Sequence, residues 1–323
     1  MLLLTAADLA RALPLAEAIA AMEEAFRLAD GEVQTPVRIQ VPLAARDGTF
    51  LVMPALGESL EIFGTKIASV IPGNAGSGLE TVQAFYTLVS AADGRLLALM
   101  EGRYLTSART VATSALATRL MSRNVPSRLA IFGTGTQARF HLEAISIVRE
   151  IIEARVCGSS AEKSEAFARS PSFSFPFPIR AASSKEAAED ADLICTCTSS
   201  SDPVFDGLYL KPGAHINAIG AYRPESRELD DRTMQRARVV VDTMSGATAE
   251  AGDILLPLRT GLLRREQIVG DLSQIVRGAI LGRASEGEIT VFKSVGFALE
   301  DLGAALRAYR NALRLGLGRE IEL

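Results

Sequence analysis

An α/β protein of two domains is what the sequence predicts: a doubly wound parallel sheet preceded by a mixed α+β domain that the C-terminal helix completes. Three observations carry this. Short β-rich runs fill Val37 to Met100, and two of their junctions are Asp-Gly turns, Asp47-Gly48 and Asp93-Gly94. Beyond Pro126, apolar strands alternate with helical segments, the pattern of a parallel sheet wrapped on both faces. A glycine turn, Gly133-Thr-Gly135, stands at the first strand-to-helix junction of that series. With 323 residues, 48% of them hydrophobic, the chain is long enough for two cores.

The elements follow in order. Residues 14–30 place apolar side chains at helical spacing, beginning near Pro14 and stopping at Gly31, a residue suited to the position after a helix. The runs VRIQVPL, TFLVM, IFGTKIASVI, TVQAFYTLV and LLALM are strands, most economically paired antiparallel. Residues 105–122 are small, Ala/Thr-rich and helical in pattern, and Pro126 separates them from a new strand. Strands are then expected at 129–133, 154–158, 192–198, 215–220 and 237–242, with helices near 137–149, 161–169 and 271–279. The segment SFSFPFP at 172–178 reads as a Pro-containing loop or edge strand. After EITVFKSVG, an amphipathic helix from about Leu299 to Leu315 ends at Gly316 and is free to pack on the first domain.

Composition excludes several functions. With 34 Lys+Arg against 38 Asp+Glu the net charge is −4, which gives no broad positive field for nucleic acid or an anionic membrane. Cys157, Cys195 and Cys197 are an odd set without a disulfide spacing, so reduced thiols and a cytoplasmic location are expected. His141 and His215 have no neighbouring acidic cluster, and no metal is expected. Neither a signal peptide nor a run long enough to span a membrane is evident.

The sharpest chemical signal is IFGTGTQARFHLEA at 131–144, where a strand enters Gly133-Thr-Gly135-Thr-Gln-Ala138 and then a helix. Gly133 permits the tight turn, Gly135 lets a pyrophosphate approach the backbone, and Ala138 allows close helix–strand packing, the arrangement of a Rossmann dinucleotide site. About 20 residues on, where NAD-selective sites carry an acid, the chain has Gly158-Ser159-Ser160. Without carboxylate repulsion, Ser159, Ser160 and Lys163 could hydrogen-bond a 2′-phosphate; the reading leans to NADP and leaves NAD open. Arg38, Lys66 and Arg109 lie in β-rich or small-residue segments, yet each alone reads as a long side chain snorkelling to solvent. Cys195 and Cys197 share one strand face and read as small hydrophobes, while neither histidine is given a role. The tract after Thr198 ends a parallel strand, where open α/β sheets bind ligands.

Seven blocks together resemble the ornithine cyclodeaminase/mu-crystallin family: TPVRIQVPL (35–43), FLVMPA (50–55), GTKIASVIPGN (64–74), LTSARTVATSALAT (105–118), GTGTQA (133–138), KPGAHINAIGAYRPESRELD (211–230) and ITVFKSVGFALEDL (289–302). The resemblance implies a homodimer with a substrate-binding and dimerisation domain, 1–120 plus 299–323, and a Rossmann domain, 121–298. It also implies that Arg38, Lys66 and Arg109 bind a substrate carboxylate beside the nicotinamide, that Lys66 handles the proton, and that Val295 lines the substrate site. Thr81, Arg109, Thr136, Gln137, Thr198, Asn217 and Ser294 match cofactor contacts.

Two departures select among the family's reactions. Cyclodeaminases carry acids where this chain has Leu51 and Tyr222, so the distal ammonium of ornithine would lack a partner. Alanine dehydrogenases use an acid at the second position as well. The Ala-x-Arg-Pro pattern at 221–224 is closer to mu-crystallin-like ketimine reductases. The expectation is reduction of the C=N bond of a small imine carboxylate of the pyrroline-2-carboxylate type. The alternatives are an ornithine cyclodeaminase or a non-catalytic small-ligand binder.

Overall fold

The computed structural model describes residues 1–28, 31–74, 77–171 and 173–322. Ala29 and Asp30, the end of the expected first helix, and Ser172, which opens the 172–178 segment, lie outside the described residues. In chain order the elements begin with β1 (Leu2–Leu4), α1 (Ala6–Ala12), α2 (Leu15–Arg27), β2 (Val33–Gln34), β3 (Ile39–Leu43), β4 (Gly48–Gly57), β5 (Ile62–Val70), β6 (Val82–Ser90), β7 (Leu96–Glu101) and α3 (Gly102–Met121). They continue with β8 (Ser127–Phe132), α4 (Thr136–Val148), β9 (Ile151–Cys157), α5 (Ala161–Ala168), β10 (Ile179–Ala181), α6 (Ser184–Ala188), β11 (Leu193–Thr196) and β12 (His215–Ala218). The remainder is α7 (Asp231–Arg236), β13 (Ala237–Val241), α8 (Met244–Glu250), α9 (Gly252–Arg259), β14 (Ile268–Asp271), α10 (Leu272–Val276), β15 (Ile289–Lys293), α11 (Ala298–Leu315) and β16 (Arg319–Glu320).

The chain divides into two compact units, Met1–Thr113 with Phe297–Leu323, and Ser114–Gly296. In the first unit the strands run β16-β1-β7-β6-β5-β4-β2, with β3 paired to β4. The meander β4-β5-β6-β7 is antiparallel, and Asp47 and Gly94, both at positive φ, turn the chain where the Asp-Gly pairs stand. Outside those runs, β1, which is not among the strands expected from the sequence, pairs parallel to β7. The helix expected at 14–30 is α2, and a further short helix, α1, precedes it. Thr5 caps α1 in a capping box with Asp8, and Pro14 opens α2, which ends at Arg27. Within this unit α11 packs on α2: Arg307 pairs with Glu17 and Glu24 at 2.6 Å, and the Asn311 amide donates to the Ala12 carbonyl. Fully buried Phe26, against Phe297, contributes about 1.5–3 kcal/mol by its burial. Gly316, in the left-handed region, stops α11.

The second unit is the doubly wound sheet, all parallel, ordered β10-β9-β8-β11-β12-β15-β13-β14. Its first five strands reproduce the 3-2-1-4-5 part of the Rossmann order, and the sixth place is taken by β15, the last strand of the unit in the chain. Strands β11, β12 and β15 are buried along their whole length, which is why they read as continuous apolar runs. The described part of the 172–178 segment is a loop whose Phe173, Phe175 and Phe177 rings follow one another into edge strand β10.

Candidate active site

Lys66 sits on the inner face of β5, opposite Met53 on β4 and Tyr86 on β6. Its ammonium lies between both oxygens of Asp301 in the first turn of α11, at 2.9 and 2.8 Å. From α3, Arg109 donates Nε to the same carboxylate at 3.1 Å and Nη1 to Glu300. All four side chains are buried. Lys66 and Arg109 therefore do not snorkel to solvent, as each read in isolation, but meet two acids inside the first unit. Arg38, half-buried just before β3, acts on Lys66 through its charge.

This environment tunes the lysine. Burial pushes the Lys66 ammonium down to about 8, and the charges of Arg109 and Arg38 push the same way against the attraction of Asp301. Tyr86 shares the face; burial, and then the Asp301 charge, hold its phenol well above the usual range, and its hydroxyl has no hydrogen-bond partner among the described residues. Gly64 is what admits it, because a Cβ there would lie 2.0 Å from the Tyr86 hydroxyl. Leu51 and Met53 give the β4 part of this face an apolar surface. Apolar residues of equal volume would be at least as stable as four buried charges, so stability alone does not account for the cluster. A perturbed lysine beside fixed charges can exchange a proton near neutral pH.

In the second unit the turn between β8 and α4 has the geometry an anion needs. Gly133 has φ +118°, and a Cβ there would lie 2.7 Å from the Cys197 carbonyl oxygen. At Gly135 a Cβ would meet open space. Thr136 and Gln137 open α4, whose N-cap, Gly135, offers no side-chain acceptor to the first-turn N–H groups. The Gln137 side-chain oxygen is buried without a hydrogen-bond partner among the described residues. At the end of β9, Lys163 Nζ donates to Ser159 Oγ at 3.1 Å, and Ser160 Oγ caps α5.

The other expected positions are dispersed. Thr81 precedes β6 in the first unit, its carbonyl accepting from Ile71 N–H. Thr198, Ser294 and Val295 lie at the carboxyl ends of β11 and β15. The Ser294 hydroxyl and the Val295 N–H donate to Asp242, while Thr198 donates to Glu228. Asn217 is not brought to that rim. It is fully buried in β12, its amide donating to Thr118 Oγ1 at 2.8 Å. Burial pushes His141 down to about 4, so the neutral ring donates from Nδ1 to the Gln137 carbonyl and accepts at Nε2 from the Ser114 hydroxyl.

Sequence reasoning missed Glu300 and Asp301. They look like ordinary first-turn acids favoured by the helix dipole, and nothing local in the sequence marks them otherwise. It also missed Glu228, Asp242, Asp253 and Lys293. Of these, Lys293 in the apolar run ITVFK was the visible anomaly. Among the described residues no helix is long and apolar enough to cross a membrane.

Residues 1–315 match the ornithine cyclodeaminase/mu-crystallin family. The chain is 40% identical over 290 residues to a Delta(1)-pyrroline-2-carboxylate reductase of Bacillus cereus, covering 89% of each. It is 37% identical over 281 residues to the ketimine reductase mu-crystallin of Mus musculus, covering 87% of this chain and 86% of that one. Among solved structures, the Thermococcus litoralis Delta(1)-pyrroline-2-carboxylate reductase in complex with NADH and L-proline superposes with a TM-score of 0.95 at 36% identity, covering 99% of this chain and all of the other.

Proposed function

The chain belongs to the ornithine cyclodeaminase/mu-crystallin family, and from that membership and its own charged cluster we propose that it is a nicotinamide-dependent reductase of small cyclic ketimine carboxylates such as Δ1-pyrroline-2-carboxylate. The observation that carries this reading is the Lys66–Asp301–Arg109–Glu300 cluster with Arg38 in electrostatic reach. A reduced nicotinamide supplies the hydride that the imine carbon receives. Arg38, with Arg109 behind it, holds the substrate carboxylate, for which a guanidinium fork is the matching shape. Lys66, protonated below about pH 8, delivers a proton to the imine nitrogen as the C=N double bond becomes a single bond. Asp301 keeps the ammonium aimed and charged. The ring methylenes face Leu51 and Met53, which offer no partner to a distal ammonium and so disfavour ornithine.

The turn residues Gly133, Gly135, Thr136 and Gln137 would hold the pyrophosphate through backbone N–H groups. Lys163, already bonded to Ser159 at the end of β9, supports NADPH over NADH: none of Gly158, Ser159 and Ser160 carries a carboxylate to repel a 2′-phosphate, and the nearest acid, Glu162, is bonded to the Ser160 side chain. Thr81, Arg109, Ser160, Thr198 and Ser294 stay candidate cofactor contacts, and Val295 a candidate substrate contact. A homodimer accords with the outer face of the first unit's sheet, where Ile39, Val41, Phe50 and Phe85 are exposed. Unpaired Cys157, Cys195 and Cys197 accord with the cytoplasm.

Steady-state oxidation of NADPH or NADH by Δ1-pyrroline-2-carboxylate tests the proposal. Turnover that is lost in Lys66→Ala supports it. Turnover no faster than in that variant, or ammonia release from ornithine with tightly held NAD, overturns it.

A further inference from the structure

The RELD segment at 227–230 has no role in the chemistry above, yet it supplies a buried carboxylate with many donors. Glu228 is fully buried. Its Oε1 accepts from Thr198 N–H and Thr198 Oγ1, both at 2.7 Å. Its Oε2 accepts from Thr196 Oγ1 at 2.8 Å, Gly220 N–H at 2.7 Å and Ala221 N–H at 3.3 Å. The segment is itself pinned from behind. The N–H groups of Glu228 and Leu229 donate to Asp253 at 2.8 Å, Asp253 pairs with Lys293 at 2.8 Å, and Lys293 donates to the Ala221 carbonyl at 2.5 Å. A closed ring of bonds thus joins the chain leaving β11, the chain leaving β12 and the end of β15.

We propose that Glu228 is a positioning residue for the cofactor: through Thr198 and Gly220 it fixes the backbone of the β11 and β12 loops where the second half of the dinucleotide must lie. This rests on the reading that a dinucleotide binds at Gly133–Gln137. In an open α/β sheet the ligand crevice lies outside the carboxyl ends of the strands at the point where strand order reverses, here between β8 and β11. Thr198 stands two residues beyond β11, and the Cys197 carbonyl beside it is the atom a Cβ on Gly133 would strike. The phosphate turn and the Glu228-held loop are therefore in contact across that point. The fit leaves no slack: a Cβ on Gly220 would lie 2.2 Å from the Thr198 carbonyl oxygen and 2.5 Å from Glu228 Oε1. A buried carboxylate is costly, and five donors aimed at one group set backbone geometry in a way that apolar packing, which is non-directional, cannot.

The test is dinucleotide affinity, read from NADPH and NADH fluorescence well below the melting midpoint. Glu228→Gln turns one acceptor into a donor facing other donors, and a tenfold or greater weakening is expected. Thr198→Val should weaken binding severalfold and Thr198→Ser should restore it. Because both residues act through one contact, Glu228→Gln/Thr198→Val should bind no more weakly than Glu228→Gln alone. Affinity of folded Glu228→Gln within twofold of wild type, or losses that add in the double variant, would overturn the inference. If Glu228→Gln does not fold, wild-type affinity in Thr198→Val overturns it. Wild-type protein that binds neither dinucleotide removes the underlying reading instead.

Discussion

Lys66 Nζ rests between the two carboxylate oxygens of Asp301, 2.9 and 2.8 Å away, although the residues are 235 positions apart in the chain. The strand that carries the base and the helix that carries the acid belong to one unit, so the contact exists only because the C-terminal helix returns to the N-terminal sheet. Asp301 also receives Arg109, and the carboxylate becomes the common support of both cations. Whatever the cluster does to a substrate, its proton chemistry is set by this pair.

Activity should fall on the alkaline side. The reducing direction needs Lys66 charged, and burial brings its ammonium down to about 8. In a pH profile of kcat/KM for imine reduction, the rate should be level below that value and fall about tenfold per unit above it. Oxidation of the cyclic amino acid needs Lys66 neutral and should rise through the same range. A flat profile from pH 7 to pH 9.5 in both directions would separate Lys66 from the proton transfer.

Asp301→Asn should move that limb to lower pH. The aspartate opposes the burial that depresses Lys66, so its removal lets the ammonium lose its proton earlier, by about 1–3 units. A structural role alone would lower the melting temperature without moving the profile. An unmoved limb in folded Asp301→Asn would show that the aspartate does not set the charge of Lys66.

Arg38→Gln should move the limb the other way. Arg38 depresses Lys66, and its loss raises the pH at which activity falls. Loss of a charge-assisted bond to the substrate carboxylate, worth about 1.5–3 kcal/mol, should also raise KM roughly ten- to hundredfold. Arg109→Lys differs because Arg109 is clamped by Glu300 and Asp301 and buried; it should lower stability as well as affinity. Unchanged KM in Arg38→Gln would remove Arg38 from substrate binding.

How much of this was legible depends on the range of each cause. The β8–α4 turn could be read directly, because Gly133 and Gly135 answer to local backbone geometry within a few residues. The strand meander was readable for the same reason: Asp47 and Gly94 turn the chain where their own conformations allow. Elements such as β1, β10 and β14, at three or four residues, are too short to display a period. Lys66 and Arg109 were visible as residue types, but nothing periodic links them to Glu300 and Asp301, which look like acids placed for the helix dipole. Glu228 is illegible for the same reason: its partners Thr198 and Gly220 are on different strand ends, joined only by the fold.

Cofactor choice should follow the end of β9. Lys163 and Ser159 are bonded at 3.1 Å with no acid in the turn from Gly158 to Ser160. Ser159→Asp places a carboxylate where a 2′-phosphate would lie, and should reduce the kcat/KM ratio of NADPH to NADH at least tenfold, mainly through KM for NADPH. Lys163→Ala should shift the ratio the same way by a smaller factor. An unchanged ratio in both variants would put the selectivity elsewhere.

Assembly should depend on the outer face of the first unit's sheet. Val41 and Phe50 are cross-strand partners on β3 and β4, and Ile39 pairs with Val52 one step along the same face. Phe85 on β6 extends it, opposite Ile67 on β5. The exposed members are 43 to 57% accessible, an apolar surface that a chain of net charge −4 has no reason to leave in water. A second copy of the chain covering this face would desolvate Phe50, so Phe50→Glu would bury an unpaired carboxylate at a cost of several kcal/mol and shift dimer to monomer at micromolar concentration. Light scattering on wild-type and Phe50→Glu protein reads the difference directly. A wild-type mass equal to one 34.4 kDa chain, or a variant that stays dimeric, would mean that this face is not where copies meet.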